Sequence, residues 1–208
     1  MPIVLTVDGA RPAADVVARC AAALAQGQLL IFPTDTLYAL GGRALDGATA
    51  VRVREVKGRP GDQPLPLVAA DGAQARGLCA GWPRDAERLA AAFWPGPLTI
   101  VLPAAPEVPP AVTSGTGTVA VRVPALALTT ALCAAAGPLL STSANRTGVR
   151  GPLTCAEAVE GVGFAAAIAL DAGTGTPLAS TIVDLTGATP ALLRAGAVAW
   201  EDVMAALG

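Results

Sequence analysis

The chain has 208 residues, 53% hydrophobic and 14% charged, with a net charge of −2 and no histidine. That length supports one well-buried unit, the apolar content excludes a disordered chain, and the slight acidity argues against a surface built to coat nucleic acid while leaving room for a local basic pocket. Without histidine there is no Ser-His-Asp or Cys-His catalysis, no HExxH zinc site and no imidazole acid or base.

The first predicted element is a strand over IVLTV, residues 3–7, followed by an Ala-rich helix over residues 12–26 that stops at Gly27. LLIF, residues 29–32, reads as a buried strand running into the turn PTDT. A helix over residues 48–56 leads to KGRPGDQP, a loop fixed by two glycines and two prolines. Strands are then expected at 66–69, 99–102, 119–123 and 139–140, with helices at 84–93 and 126–135. The last third predicts a helix after Thr154, strands at 166–170, 181–185 and 191–194, and a helix from Trp200. The least regular stretch, AAPEVPPAVTSGTG at 104–117, reads as a mobile surface loop or a lid.

Short turns between several strands point to the α/β class, with a mostly mixed, twisted sheet flanked by helices, and residues 1–208 are expected to form a single domain. The densest apolar runs, LLIF and AAAIAL, fall well short of the roughly 20 residues that span a bilayer. The start MPIVLTVDG lacks a basic region, apolar stretch and small-residue cleavage site, so no membrane association and a cytoplasmic location are expected. Cys20, Cys79, Cys133 and Cys155 form no CxxC pair and are expected as small buried hydrophobes.

Four polar segments sit at the ends of predicted strands, where α/β folds place ligand sites: PTDTLYALGG, KGRPGDQP, STSANRTG, and STIVDLTG with LLRAG. Each taken alone reads first as an ordinary turn. Lys57 shifts that balance, being the one lysine among 14 basic residues. A compact ammonium suits a site where a planar guanidinium does not fit. In an extended segment Lys57 and Arg59 would point the same way and face one anion, which suits phosphate. Lys57 is thus expected as a loop side chain in a wet cavity, with little weight in the core. No GxxxxGK[ST] is present, and the GTG triplets are not followed by helices. Asn145-Arg146-Thr147 matches a glycosylation sequon, a chance match without a secretory leader.

Together, PTDTLYALG, KGRPGDQPLPLV, FWPGPLTIVL, TVAVRVP, STSANRTG, STIVDLTG and LLRAG resemble the YrdC/Sua5 family of threonylcarbamoyl-AMP synthases in order and spacing, across residues 28–196. The resemblance implies a twisted sheet enclosing a large concave basic cavity. The implied reaction joins L-threonine, bicarbonate and ATP into L-threonylcarbamoyladenylate and pyrophosphate. A downstream tRNA threonylcarbamoyl transferase complex then modifies the adenosine 3′ of the anticodon, with direct tRNA contact an open expectation. Carried over by position, the resemblance puts Thr36, Arg122, Ser143 and Ser180 around threonine, and Arg59, Gln63, Thr118, Asn145 and Arg194 around ATP. Lys57 lies at the shared centre and acts with Arg59 as the catalytic cations. Mg²⁺ is expected on the ATP phosphates, with no protein side chain as ligand. The residue types agree: Arg122 suits a carboxylate, the hydroxyls suit polar groups, and the cations suit charge developing at phosphorus.

Departures from the family pattern are YALG for YGLG at Ala39, LRAG for LRPG, STSAN for SPSAN, and no histidine near Val68. An additional C-terminal domain is not expected. Two other readings remain: an RNA-binding module without catalysis, marked by salt-dependent tRNA binding without ATP turnover, and carbamoyl-adenylate chemistry, which elsewhere accompanies acylphosphatase and zinc-finger modules.

Overall fold

The structure, a computed structural model, describes residues 1–58 and 64–208. In chain order the elements are β1 (Ile3–Thr6), α1 (Ala14–Ala25), β2 (Leu29–Phe32), β3 (Ala39–Gly41), α2 (Gly47–Lys57), β4 (Leu67–Val68), α3 (Gly72–Arg76), α4 (Arg84–Phe93), β5 (Leu98–Pro103) and α5 (Pro110–Thr113). They continue with β6 (Thr118–Arg122), α6 (Ala127–Ala136), β7 (Leu139–Leu140), β8 (Thr142–Ser143), α7 (Cys155–Val162), β9 (Ala166–Asp171), β10 (Thr181–Asp184), β11 (Ala191–Arg194) and α8 (Trp200–Leu207).

The strands form two mixed sheets rather than the one expected: β1-β9-β2-β3-β8 and β11-β10-β5-β6-β4-β7. In the first, β9 runs parallel between β1 and β2, and β3 and β8 add antiparallel. The second alternates parallel and antiparallel neighbours throughout. β7 and β8 belong to different sheets although only Ser141 separates them, so the chain steps from one sheet to the other there. The close approach at this seam requires a glycine: a Cβ on Gly41 would lie 1.7 Å from the Leu140 carbonyl oxygen, and the Leu140 amide donates to the Gly42 carbonyl at 2.8 Å.

One apolar core draws on both sheets, with Leu29, Ile31 and Leu40 from the first and Leu67, Val119 and Val121 from the second. Every side chain of β2 is buried, which is why LLIF reads as a continuous apolar run instead of alternating. Asp46 caps α2 by accepting from the Ala48 and Thr49 amides at 3.0 and 3.4 Å, and Thr154 with Glu157 forms a capping box on α7. No helix among the described residues is long and apolar enough to cross a membrane.

One expectation needs correction here. The 104–117 segment is docked on the core: Val108, Val112 and Thr113 are buried, α5 lies within it, and the Leu65 amide donates to the Val112 carbonyl at 2.9 Å. Pro109 and Pro110 start a helical turn there, and apolar residues spaced four apart give it a buried side. Ala39 sits in ordinary strand geometry opposite Phe32 and Ser143, so alanine fits this position. Cys20, Cys133 and Cys155 are buried and Cys79 is half-buried. Burial pushes the Cys133 thiol up to about 12.

Candidate active site

Residues from both sheets line a cavity of about 220 Å³ that includes Thr36, Arg122, Ser143, Ser180 and Arg194. Thr36 lies on the turn between β2 and β3, Arg122 ends β6, Ser143 ends β8, Ser180 immediately precedes β10 and Arg194 ends β11. Strand ends hold these side chains because backbone pairing fixes their Cα positions while the final side chain is free of the sheet.

Arg122 is only 6% exposed and is held by three contacts from its surroundings. Its Nε donates to the Gly96 carbonyl at 2.9 Å, Nη1 to Thr36 Oγ1 at 3.1 Å, and Nη2 to Asp35 Oδ1 at 2.5 Å. Burial lowers the guanidinium pKa from its ordinary value, and the Asp35 charge opposes that shift. Thr34 Oγ1 donates to the Leu37 carbonyl at 2.8 Å, so the 3.0 Å contact between Thr34 and Thr36 hydroxyls has Thr36 as the donor. Thr36 Oγ1 is therefore an acceptor toward the cavity.

Arg194 grips Ser180 through neutral oxygens. Its Nε and Nη2 donate to the Ser180 carbonyl at 3.0 and 2.7 Å, and Nη2 also reaches Ser180 Oγ at 2.9 Å. Ser180 Oγ lies 2.9 Å from Thr99 Oγ1. Burial lowers the Arg194 pKa, and the Arg122 charge adds to the effect. A Cβ on Gly196 would lie 2.4 Å from the Ala179 carbonyl oxygen, so that glycine lets the chain after β11 fold tightly against the segment carrying Ser180.

Lys57 differs from the expectation. It is the last residue of α2, 4% exposed, and its Nζ donates to the Ser143 and Asn145 carbonyls at 2.5 and 2.8 Å. Gly58 follows at φ 58°, a left-handed helix cap, so residues 57–58 are not the extended pair that would align Lys57 with Arg59. Lys57 thus joins α2 to the STSAN segment from within the structure. Arg59 and Gln63 lie outside the described residues. Asn145 is buried, and its Nδ2 donates to the Arg146 and Val149 carbonyls at 2.9 and 2.6 Å. Those acceptors fix the amide orientation and leave Oδ1 buried with no hydrogen-bond partner among the described residues, an acceptor ready for a ligand donor. Thr118 starts β6, at the other end of the strand from Arg122, and its hydroxyl pairs with Thr116 at 2.9 Å.

Asp35 escaped the sequence reading. The available signal was an acid amid threonines in a polar segment, together with the physical need of a buried arginine for a counter-charge. A second cleft, about 620 Å³ and lined by Trp82 and Trp94, lies by α3 and α4. Arg76 pairs there with Glu87, and Trp82 Nε1 donates to Glu87 at 2.7 Å. These groups satisfy one another, whereas the smaller cavity concentrates the groups able to bind a polar ligand.

The sequence profile of the Sua5/YciO/YrdC family, described as telomere recombination, matches residues 22–196. The chain belongs to this family. A Pyrococcus abyssi relative named threonylcarbamoyl-AMP synthase is 40% identical over 185 residues, spanning 88% of this chain and 54% of that protein. A Mycobacterium tuberculosis family member named putative threonylcarbamoyl-AMP synthase is 37% identical over 187 residues, spanning 89% of this chain and 86% of that protein. The crystal structure of P. abyssi Sua5 complexed with L-threonine superposes with a TM-score of 0.93 at 37% identity, covering 99% of this chain and 61% of that one. The chain thus spans about half of the first relative and most of the second.

Proposed function

We propose that this chain is a threonylcarbamoyl-AMP synthase that converts L-threonine, bicarbonate and MgATP into threonylcarbamoyl-AMP and pyrophosphate. The observation that carries the reading is Arg122, a buried guanidinium held beside the hydroxyl of Thr36 in a cavity also lined by Ser143 and Ser180. That set matches a small amino acid bearing a carboxylate and a hydroxyl. Relatives with this name, and a family structure holding L-threonine, support it.

In the proposed reaction the threonine amine condenses with bicarbonate, losing water, and a carbamate oxygen attacks the α-phosphorus of ATP as pyrophosphate departs. Arg122 binds the threonine carboxylate, and Thr36, Ser143 and Ser180 take its other polar groups. Arg194, Asn145, Thr118, Arg59 and Gln63 serve ATP, whose bound Mg²⁺ offsets phosphate charge. Lys57 and Arg59 stabilise the charge developing between the two anions. The cavity would then be the threonine end of a longer basic cleft within one YrdC-like domain. The product would pass in the cytoplasm to a tRNA threonylcarbamoyl transferase.

The test is incubation with MgATP, bicarbonate and labelled threonine. Pyrophosphate and a threonine-containing adenylate are expected, with valine at least about tenfold poorer because it leaves the pocket hydroxyls unpaired. Equal turnover of valine would remove the threonine assignment. Salt-dependent tRNA binding without turnover would point to an RNA-binding module instead.

A further inference from the structure

We propose that Asp35 is a positioning residue: it holds the Arg122 guanidinium in one orientation and cancels its charge, so that the cavity selects a zwitterionic amino acid over a more highly charged anion. This rests on the threonine reading and adds a specificity determinant to it.

The argument begins with a count of donors. A guanidinium has five N–H groups, and Arg122 gives one each to the Gly96 carbonyl, Thr36 Oγ1 and Asp35 Oδ1. One N–H remains on each terminal nitrogen, so two donors are left for a carboxylate. Gly96 and Thr36 supply only neutral oxygens, so Asp35 contributes the anionic contact that compensates this buried charge. Asp35 is not among the residues lining the cavity and acts through Arg122.

The carboxylate is itself well placed. The Thr36 amide donates to Thr34 Oγ1 at 3.1 Å, which tightens the turn. From the other side the Thr176 amide donates to the Thr36 carbonyl at 2.8 Å, and Thr176 Oγ1 donates to the Asp35 carbonyl at 3.2 Å. Both flanks of Asp35 are therefore tied down, and its side chain is 15% exposed. A neutralised arginine orients a carboxylate by hydrogen bonds without adding the net positive field that would draw a multiply charged anion into the same place.

The experiment measures initial rates of threonine-dependent pyrophosphate release for wild type, Asp35→Asn and Asp35→Glu, with inorganic phosphate as a competing anion. Asp35→Asn is expected to raise the KM for threonine about tenfold or more, with kcat changed by less than about threefold and the KM for ATP within about twofold. Phosphate should become an inhibitor competitive with threonine, at least about fivefold stronger than against wild type. Asp35→Glu keeps the charge one methylene further out, so phosphate inhibition should stay at the wild-type level while the threonine KM rises about threefold. A carboxylate that merely stabilises the fold predicts a lower melting temperature with unmoved threonine KM and phosphate inhibition, and that result overturns the inference. Should Asp35→Asn fail to fold, an unmoved threonine KM in Asp35→Glu overturns it equally. A wild-type protein that releases no threonine-dependent pyrophosphate overturns the functional reading and this inference with it, whereas an active wild type with unmoved variants overturns this inference alone.

Discussion

Arg122 ends β6, an interior strand with neighbours on both sides, whereas Arg194 ends β11, the outermost strand of the same sheet, all four of whose residues are exposed. Arg122 is deeply buried and paired with a carboxylate, while Arg194 is bound to a serine hydroxyl and carbonyl and keeps its full charge. One cavity therefore has two cationic walls of different character. The interior wall is rigid and nearly neutral, suited to orienting a small zwitterion. The edge wall carries a charge with no acidic partner among the described residues, nearer solvent and suited to the phosphates of a nucleotide. Position in the sheet explains the contrast, because a charge buried on a central strand requires a partner, whereas an edge residue retains enough water to do without one.

Substitution at each wall separates the two roles. The largest effect is expected for Arg122→Ala, which strands Asp35: threonine-dependent turnover should fall about a hundredfold or more, and chemical denaturation should show a loss of up to about 3 kcal/mol. A variant of wild-type stability would break the claim that the interior pair is structurally coupled. Next comes Arg194→Ala, for which steady-state kinetics should show the KM for ATP raised about tenfold, that for threonine by less than about threefold, and stability changed by less than about 1 kcal/mol. If threonine suffers more than ATP, the two walls have been assigned the wrong way round. The smallest effect should come from salt. Raising NaCl to about 0.5 M should increase the KM for ATP several-fold and leave that for threonine within about twofold, because screening weakens the exposed charge and spares the buried pair. Equal salt dependence of both substrates would erase the distinction.

Much of this was legible in the sequence where one physical cause dominates. LLIF, residues 84–93 and residues 191–194 were read with the bounds the structure has, because uninterrupted burial, a proline entry and turn-forming flanks mark them locally. β3 and β8, of three and two residues, were missed inside polar segments too short to display alternation. The division into two sheets depends on the Gly41–Leu140 approach, which couples residues far apart in the chain. The motifs brought Thr36, Arg122, Ser143, Ser180 and Arg194 to one cavity. They did not reveal the ion pair spanning 87 positions between Asp35 and Arg122. Lys57 was misjudged by a single helical residue: extending α2 to position 57 turns a loop cation into a buried tie between a helix end and the Ser143–Asn145 backbone. Removing it should therefore cost stability as well as activity.

The place of β9 has a consequence for synthesis on the ribosome. β9 lies between β1 and β2, strands contained in the first 32 residues, yet its own residues begin at 166. At about 5–20 residues per second, β2 waits roughly 7–27 seconds for its parallel neighbour. Through that interval the nascent chain carries LLIF, four apolar residues destined for complete burial, with one hydrogen-bonding edge unfilled. The strand that completes the first sheet thus sets the moment at which LLIF ceases to be sticky, and a translational pause placed shortly before residue 166 would lengthen the exposure of that strand.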